Sequence, residues 1–170
     1  VTHGFSRQNE LFRFFEDEHP LETVDNVEDY ISRLDQIDDQ LACLIQCLED
    51  SEERGIMAPA QMLQRAADQI RDIGPGSARY LSFYTDFEAG IAGIAELTPA
   101  ERLQMLDDAE AAINESVIPA YQDLVTALDA QIPIAPGRHG VWRLPDGDRF
   151  YETCLRYTTT TDFTPDQIHR

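Results

Sequence analysis

Histidines are the first residues to consider for metal binding or proton transfer, and the chain has four: His3, His19, His139 and His169. Glu16 precedes His19 with the Glu-x-x-His spacing of carboxylate-bridged di-iron bundles, and Asp166 precedes His169 in a looser version of it. Such a site needs two of these helices and two further inward glutamates. His19 also stands directly before Pro20, at a helix end, where inward projection is difficult. We therefore interpret these histidines as structural.

Cysteine is the other residue type that binds metals or acts as a nucleophile, and the chain contains Cys43, Cys47 and Cys154. None of them forms a Cys-x-x-Cys pair. Cys43 and Cys47 are four residues apart in a helical pattern and so share a helix face. A thiolate zinc site needs further soft ligands nearby, and none has a suitable spacing. We predict small thiols that are buried or half-buried.

No other group of reactive residues matches a catalytic pattern. The acid pairs Asp38-Asp39 and Asp107-Asp108 point about 100° apart on a helix, so we interpret them as surface acids rather than as an acid/base pair. The chain has no Gly-x-Ser-x-Gly turn, and no spacing pairs Cys154 with His139. Gly74-Pro75-Gly76 lacks the lysine and one backbone donor of a phosphate-binding loop. The sequence therefore predicts no catalytic residue and no cofactor in this segment.

Basic residues cluster around Trp142, the only tryptophan: Arg138, His139, Arg143, Arg149 and Arg156. Arginine binds carboxylates through paired hydrogen bonds, so one interpretation is an anion or carboxylate pocket. The other is that these residues neutralise the acidic helices next to them, and we favour it because sequence gives no fixed geometry. The residues that would line a substrate cleft here are Arg138, His139, Trp142, Tyr151 and Arg156.

The net charge of −19 is confined to the first four-fifths of the chain. Residues 1–136 carry 8 Arg and 27 Asp or Glu, residues 137–170 carry five of each sign, and there is no lysine. Such a surface repels nucleic acid and anionic membranes, which excludes both as partners. No apolar run approaches the roughly 20 residues of a membrane span. We interpret the charge as a solvated exterior, in preference to a surface for a cationic partner.

The elements that would position these residues are helices. Apolar residues at spacings of three and four predict helices over 6–18, 25–54, 59–73, 78–96 and 99–128, the last kinked at Pro119, and over 147–158. Capping patterns at Thr98 and Thr164 mark helix starts, Thr23 or Asp25 can cap the second helix, and Pro59 suits a first helical position. The predicted class is all-α, a bundle of about six to seven helices with long antiparallel members and no substantial sheet.

The side chains predicted to face inward include Leu103 in the fifth helix and Phe150, Tyr151 and Leu155 in the sixth. Gly90 and Gly93 either weaken the end of the fourth helix or let another backbone come close. Val141–Leu144 is predicted to be a short extended piece. The threonines of 158–161 are β-branched and predict a connector rather than helix.

The loop from Ile132 to Gly137 is the best internal boundary. It separates an acidic helical bundle, residues 1–136, from a loop and helix that pack on it, residues 137–170. The last helix signal begins at Thr164 and the chain stops one turn later. We therefore expect one structural unit that is a fragment of a larger protein.

Residues 140–170 resemble a known family. Leu144-Pro145-Asp146-Gly147, Tyr151 and the threonines before Thr164-Pro165-x-x-Ile168-His169 are similar to a signature of the bacterial domain-of-unknown-function 885 family (DUF885), whose members are similar to zinc metallopeptidases. His19-Pro20-Leu21, residues 30–34 and residues 117–121 fit the same family in order. The signature positions are Pro145, Asp146, Gly147, Tyr151, Thr159, Thr160, Thr164, Pro165, Ile168 and His169.

The resemblance implies a long, mostly helical, often exported or lipid-anchored protein whose zinc is bound by a His-Glu-x-x-His helix. In that motif two histidines one turn apart hold the metal and the glutamate activates water. The motif is absent here, so zinc is expected for the full-length parent only. This segment would be inert, and its partners would be the rest of its own polypeptide and, in the whole protein, a peptide substrate.

Two functions follow from different classes. In the first, the chain is a scaffold or cleft-wall segment of a zinc-dependent peptidase. In the second, it is a self-standing acidic helical module that binds other proteins and has no enzymatic activity. A cytoplasmic location remains the alternative to export for the parent.

Overall fold

Helices account for every regular element in the residues that the computed structural model describes, which are 7–71, 73, 77–137 and 140–168. In chain order they are α1 (Arg7–Arg13), α2 (Val24–Leu34), α3 (Ile37–Glu53), α4 (Ala60–Ile70), α5 (Ser82–Ile91), α6 (Pro99–Ala112), α7 (Ile118–Gln131), α8 (Gly147–Thr159) and α9 (Pro165–Ile168). Turns of π-helix extend α1 over Phe14–Glu18 and join α6 to α7 over Ile113–Val117, and 3-10 turns span Ala78–Tyr80 and Val141–Arg143. The predicted all-α class is confirmed.

The core forms around α7, which packs against both α3 and α4. The buried side chains of α7 recur every three or four residues, so that one helix face is removed from water. They are Ala120, Tyr121, Leu124 and Leu128, and α4 opposes them with Leu63, Ala66, Ala67 and Ile70. Aromatic residues of α2, α5 and the first π turn extend the same cluster, with Phe15 4.7 Å from Tyr30 and 5.3 Å from Phe83 between ring centroids.

The sequence predicts one helix where the structure has two, α2 and α3, separated at Asp35 and Gln36. The hydroxyl of Ser116, in the second π turn, donates to the carbonyl oxygen of Asp35 at 3.3 Å and accepts from the N–H of Asp38 at 3.2 Å. The Gln36 side chain donates to the carbonyl oxygen of Ser32 at 2.8 Å. These bonds pair backbone groups that an interrupted helix leaves without partners. The prediction of a single helix is wrong because the group that stabilises the break is distant in sequence.

The capping box predicted at Thr98 starts α6, and of the two residues that could cap the second helix it is Thr23 that caps α2, also in a capping box. The Thr98 hydroxyl accepts from the Glu101 N–H at 3.3 Å, and the Glu101 carboxylate accepts from the Thr98 N–H at 2.9 Å. Thr23 and Asn26 exchange the same pair of bonds at 3.3 and 3.2 Å. Pro59 precedes the first residue of α4 instead of being that residue, a shift of one position.

The fourth predicted helix, residues 78–96, is shorter in the structure. It begins as a 3-10 turn and α5 ends early, so Ile94 and Leu97 lie in turns although both are buried. The close approach predicted near Gly90 is made by a side chain, not a backbone. A Cβ at Gly90 would lie 2.5 Å from Cδ1 of Leu21. The small residue therefore lets the segment before α2 pack on α5.

The bend predicted at Pro119 takes the form of the π turn that precedes it. Proline has no N–H, so one bond of an α-helical ladder is lost there. The Ile118 N–H donates to the carbonyl oxygen of Ile113, five residues back, as in a π-helix. The turn inserts one extra residue and aims Ser116 at the break between α2 and α3.

Four side chains that the sequence predicts to be covered are exposed. Cys43 and Cys47 lie on the outer face of α3, whose buried residues are Ile37 and Leu41. Leu103 is 61% exposed because α6 turns the face through Ala109 and Ala112 inward. Phe150 is 51% exposed, since α8 buries Gly147 and half-buries Tyr151 and Leu155 on a different face. Sequence periodicity places helices over these residues but assigns these four side chains to the wrong faces.

The extended piece predicted at Val141–Leu144 is also wrong, because residues 141–143 form a 3-10 turn. The helix after it agrees with the prediction to within one residue. Thr158 and Thr159 belong to α8, where their hydroxyls donate to carbonyl oxygens four residues back at 2.8 Å. The threonine connector therefore begins only at Thr160.

The division into residues 1–136 and 137–170 stays a prediction. The turn that follows α7 is tied to the start of α4 by a bond from the Ala60 N–H to the Pro136 carbonyl oxygen at 3.2 Å. The predicted break at 74–76 lies outside the described residues. Among the helices that the structure describes, none combines the length and the apolar character needed to cross a membrane.

Candidate functional site

His19 lies in an aromatic box at the junction of the first π turn and α2. Its ring is stacked on Phe15 at 6.1 Å between centroids and meets the edges of Tyr30 at 5.1 Å and Phe14 at 5.8 Å. Nδ1 donates to the carbonyl oxygen of Pro20 at 2.8 Å, since a carbonyl can only accept. Nε2 is buried and no group in the described part of the chain bonds to it.

Burial is the largest influence on the pKa of His19 and lowers it below its ordinary value of 6.5. The bond to Pro20 opposes this shift, Arg33 adds to it, and Asp29 opposes it. Burial likewise raises the pKa of the Tyr30 hydroxyl, which donates to the carbonyl oxygen of Phe83 at 2.9 Å. The box therefore holds a neutral histidine next to an un-ionised tyrosine, an arrangement that packs the core and leaves Nε2 as a lone-pair acceptor.

The described residues contain no group of three or more His, Cys, Asp and Glu side chains placed to hold a metal ion. Glu16, the partner of His19 in the Glu-x-x-His spacing, is exposed, whereas His19 is 8% exposed. Asp166 is exposed and His169 lies outside the described residues. Glu16 and His19 therefore do not belong to a metal site among the described residues, and the second motif falls partly outside them.

An acidic groove of about 290 Å³ lies between α3 and the α6–α7 junction. Its carboxylates are Asp38, Asp39, Glu115 and Asp123, all exposed. Ala42, Ile45, Ser116, Pro119 and Ala120 complete its wall. Four acids around an apolar floor attract a cationic side chain or peptide rather than an anion.

The sequence predicts Asp38 and Asp39 as surface acids, but it does not predict the other acids that share the groove with them. Glu115, Pro119 and Asp123 recur every four residues, which is the signal that could have found them.

A second hollow, of about 330 Å³, is lined by aromatic and amphipathic side chains of α1, its π turn and the α2–α3 junction: Leu11, Phe14, Phe15, Arg33, Gln36 and Gln40. The Arg33 guanidinium lies 5.3 Å from the centroid of the Phe14 ring, within the range of a cation–π contact. Packing is the role that these contacts support.

Three of the residues predicted to line a cleft, Trp142, Tyr151 and Arg156, lie in the described part of the chain. Trp142 is 69% exposed, Tyr151 is half-buried, and Arg156 is exposed with its Nε 3.5 Å from the carboxylate of Asp162. Arg138 and His139 lie outside the described residues. Nearby Arg143 donates to the carbonyl oxygen of Met57 at 2.5 Å, which fastens the segment to the bundle. The cleft assignment stays a prediction.

The signature residues shape both ends of α8. Gly147 is buried, and a Cβ there would collide with the Val141 carbonyl oxygen and lie 2.8 Å from Cα of Trp142. Asp146 and Thr160, before and after the helix, both have left-handed backbone with φ of 54° and 55°. These positions connect the 3-10 turn and the helix into one unit. Their residue types are therefore explained by a structural role, without reference to any reaction.

Thr164 and Gln167 form the cap of α9. The Thr164 N–H donates to the Gln167 side-chain oxygen at 2.8 Å, and the Thr164 hydroxyl accepts from the Gln167 N–H at 3.4 Å. Pro165 and Ile168 are half-buried, while Pro145 is exposed. The predicted Thr-Pro helix start is therefore present.

Comparisons with known proteins agree with this geometry. The family model of bacterial proteins of unknown function DUF885 matches residues 2–170. The crystal structure of the "putative lipoprotein from Colwellia psychrerythraea" superposes with a TM-score of 0.89 at 25% sequence identity. The match covers 94% of this chain and 27% of that one, so the chain spans about a quarter of that protein's length. No curated protein matches the sequence.

Proposed function

The chain belongs to the bacterial DUF885 family, and from this membership we propose that it is a scaffold and cleft-wall segment of a larger zinc-dependent peptidase. The observation that carries the proposal is the unequal coverage of the solved relative. Nearly all of this chain, but only a quarter of that protein, takes part in the match. Most of that protein lies outside the match. In a protein of that kind the reactive groups can belong to this larger part, and the matched segment need not contain them.

The residues present here do not fit a zinc site. Zinc in a peptidase needs three protein ligands around one open position, and the described residues bring no three such side chains together. In the proposal the ligands belong to a His-Glu-x-x-His helix elsewhere in the polypeptide. No chemical step is assigned to this segment, whose contribution is to hold a cleft wall in place.

The helices suit a supporting role. The buried face of α7 against α3 and α4 gives one continuous apolar core. Two-point ion pairs brace it from outside, with Arg71 donating to both oxygens of Asp129 at 3.1 and 2.9 Å and Arg79 binding Glu110 at 2.8 and 2.6 Å. A rigid frame of this kind keeps a substrate-positioning surface in a fixed geometry, as preorganised sites require.

The proposal extends to location. The solved relative is described as a lipoprotein, and we assign the same class of exported, lipid-anchored protein to the parent of this chain. Incorporation of radiolabelled palmitate into the full-length gene product, with recovery in the membrane fraction, is the expected result. A product that takes up no label and stays in the cytoplasm contradicts the proposed lipid-anchored location. This result does not test the peptidase assignment.

The test compares two proteins: the 170-residue chain and the complete product of its reading frame. Each is dialysed, measured for bound zinc by mass spectrometry, and incubated with a mixed peptide library. We expect the complete product to bind zinc and cleave peptides in a way that chelation stops and zinc restores. The 170-residue chain should do neither. Cleavage that survives chelation contradicts the zinc assignment, and zinc-dependent cleavage by the short chain contradicts its inertness.

A second candidate function is a binding module for basic proteins, and the acidic groove favours it. Asp38, Asp39, Glu115 and Asp123 face one hollow of about 290 Å³. In this case a lysine- or arginine-rich peptide should bind the 170-residue chain saturably and lose affinity as salt rises. The matched variant replaces Asp38 and Asp123 by Asn. Affinity that the variant leaves unchanged excludes the groove as the binding site.

A further inference from the structure

Large aromatic side chains are exposed along one short part of the chain, residues 140–168. Trp142 is 69% exposed, Phe150 51%, Tyr157 89% and Phe163 58%. The other large apolar side chains in the described residues that are similarly exposed are scattered singly: Ile56, Tyr80, Leu103 and Ile134. A concentration of exposed apolar surface marks an interaction site, whereas isolated cases are ordinary.

α8 carries two of these side chains, and the other two lie in the segments directly before and after the helix. Phe150 and Tyr157 are seven residues apart, two helical turns, and so lie on one stripe of the helix. Trp142 precedes the helix in a 3-10 turn that touches Gly147, the first residue of α8. At the other end, Arg156 of α8 forms an ion pair with Asp162, the residue before Phe163, at 3.5 Å. We name these four residues the aromatic face.

The inner side of α8 is itself thinly covered. Gly147 is its single buried residue, although the helix has 13 residues. Tyr151 and Leu155 are half-buried and lie roughly 100° and 140° round the helix from Phe150. A helix of this length gains most of its stability from packing an apolar face. Leaving the aromatic stripe in water therefore forgoes most of the apolar burial available to α8.

Charge decides what can cover the face. A second copy of the chain would bring two bodies of net charge −19 together, and their repulsion opposes such a dimer. Residues 137–170, in contrast, carry equal numbers of arginines and acids. The face is therefore the part of the chain against which a further apolar body can pack at the lowest electrostatic cost. In the solved relative the match covers 27% of the chain, so nearly three-quarters of that protein lies outside the matched portion. A tether within one polypeptide raises the effective concentration of the attached part into the millimolar range.

We propose that the aromatic face is the docking surface for the rest of the same polypeptide, an apolar and near-neutral surface that buries Trp142, Phe150, Tyr157 and Phe163. The inference rests on the proposed function in one respect, that the chain is part of a longer protein. It does not depend on zinc or on peptide cleavage. It assigns to α8 the junction between the scaffold and the portion that carries the reaction.

Residue-resolved oxidation by hydroxyl radicals tests the proposal. Oxidation rates are measured by mass spectrometry for the 170-residue chain and for the complete gene product. We expect the rates at Trp142 and Tyr157 to fall about tenfold in the complete product, because the centre of an interface excludes water. Tyr80, which is 84% exposed on the acidic bundle, is the matched control and should react equally in both proteins.

Three results overturn the proposal. Equal oxidation of Trp142 and Tyr157 in both proteins shows an uncovered face. Protection that appears in the 170-residue chain as its concentration rises shows a second copy as the occupant. A reading frame that ends at Arg170 removes the occupant altogether.

The peptidase assay of the complete product keeps the two proposals separate. A protected face in a product that cleaves nothing leaves the docking surface standing and refutes the peptidase. If the complete product cleaves peptides in a zinc-dependent way but its aromatic face is still oxidised, the peptidase assignment stands and the docking surface is refuted. As a further check, Phe150→Ser with Tyr157→Ser in the complete product should restore oxidation of Trp142, whereas Tyr80→Ser should not. An unchanged rate at Trp142 in the double variant counts against the face.

Discussion

The hydroxyl oxygen of Ser116 accepts a hydrogen bond from the backbone N–H of Asp38 at 3.2 Å, across 78 residues of sequence. The same hydroxyl donates to the carbonyl oxygen of Asp35 at 3.3 Å. One buried side chain thereby serves both ends of the interruption between α2 and α3. The π turn that carries Ser116 lies just before Pro119, which has no backbone N–H to donate.

Replacing Ser116 by alanine should lower the free energy of unfolding by about 1–3 kcal/mol, because two backbone groups lose their buried partner. For a chain of this size that corresponds to a fall in Tm of roughly 2–4 °C per kcal/mol. Urea and thermal unfolding followed by circular dichroism measure it. The control is Ser32→Ala, which removes an exposed hydroxyl whose bond from the Gln36 side chain is long, at 3.4 Å. A Ser116 variant as stable as the Ser32 variant would show that the bridge contributes nothing.

His19 should make the stability of the fold depend on pH. Its pKa is lowered in the folded chain, mainly by burial, relative to an ordinary value of 6.5. The unfolded chain therefore binds more protons below that value, so stability is complete above pH 6.5 and falls as the pH drops towards the folded pKa. His19→Gln removes this component while leaving the carboxylates unchanged. Urea unfolding at several pH values between 5 and 8 should show a shallower decline for the variant. Parallel curves for the two proteins would contradict a buried neutral His19.

Gly147→Ala should detach α8 from the turn before it. The added Cβ meets backbone atoms, the Val141 carbonyl oxygen and Cα of Trp142, which cannot rotate away. We expect a loss of about 1–3 kcal/mol, as in other overpacked sites. It should appear in hydrogen exchange as lost protection across residues 147–159 while α7 stays protected. Gly137→Ala, where no atom lies within 4 Å of the added carbon, is the control. Unaltered exchange in α8 would show that the close packing at Gly147 is dispensable.

Gly90→Ala tests a contact between a loop and a helix. Its Cβ would lie 2.5 Å from Cδ1 and 2.9 Å from Cβ of Leu21. The gain in helix propensity of about 1 kcal/mol is therefore outweighed by overpacking of about 1–3 kcal/mol. Gly93→Ala, whose nearest neighbour is 3.9 Å away, should not carry this penalty. Adding Leu21→Ala to Gly90→Ala should recover part of the stability lost at Gly90. Strictly additive effects of the two substitutions would mean that the residues do not compete for space.

Local sequence determined the features that depend on neighbours in the chain. Thr98 with Glu101, and Thr23 with Asn26, cap helices because their bonds reach only three residues. The apolar spacing of α4 and α7 likewise predicts their buried faces, since a helix repeats every 3.6 residues whatever packs against it. The family signature around Gly147 can also be read from the sequence alone. Residue spacing was enough in each case.

Tertiary structure alone decided the rest, because the deciding partner is distant in sequence. The break between α2 and α3 depends on Ser116, which no pattern within those helices reveals. Exposure of Phe150 and Tyr157 depends on which side of α8 meets the bundle, and a helix with apolar residues on two faces leaves that choice open. The acidic groove forms only when α3 lies beside the α6–α7 junction. Periodicity fixes what a helix can bury, but the packing of the whole chain selects what it does bury.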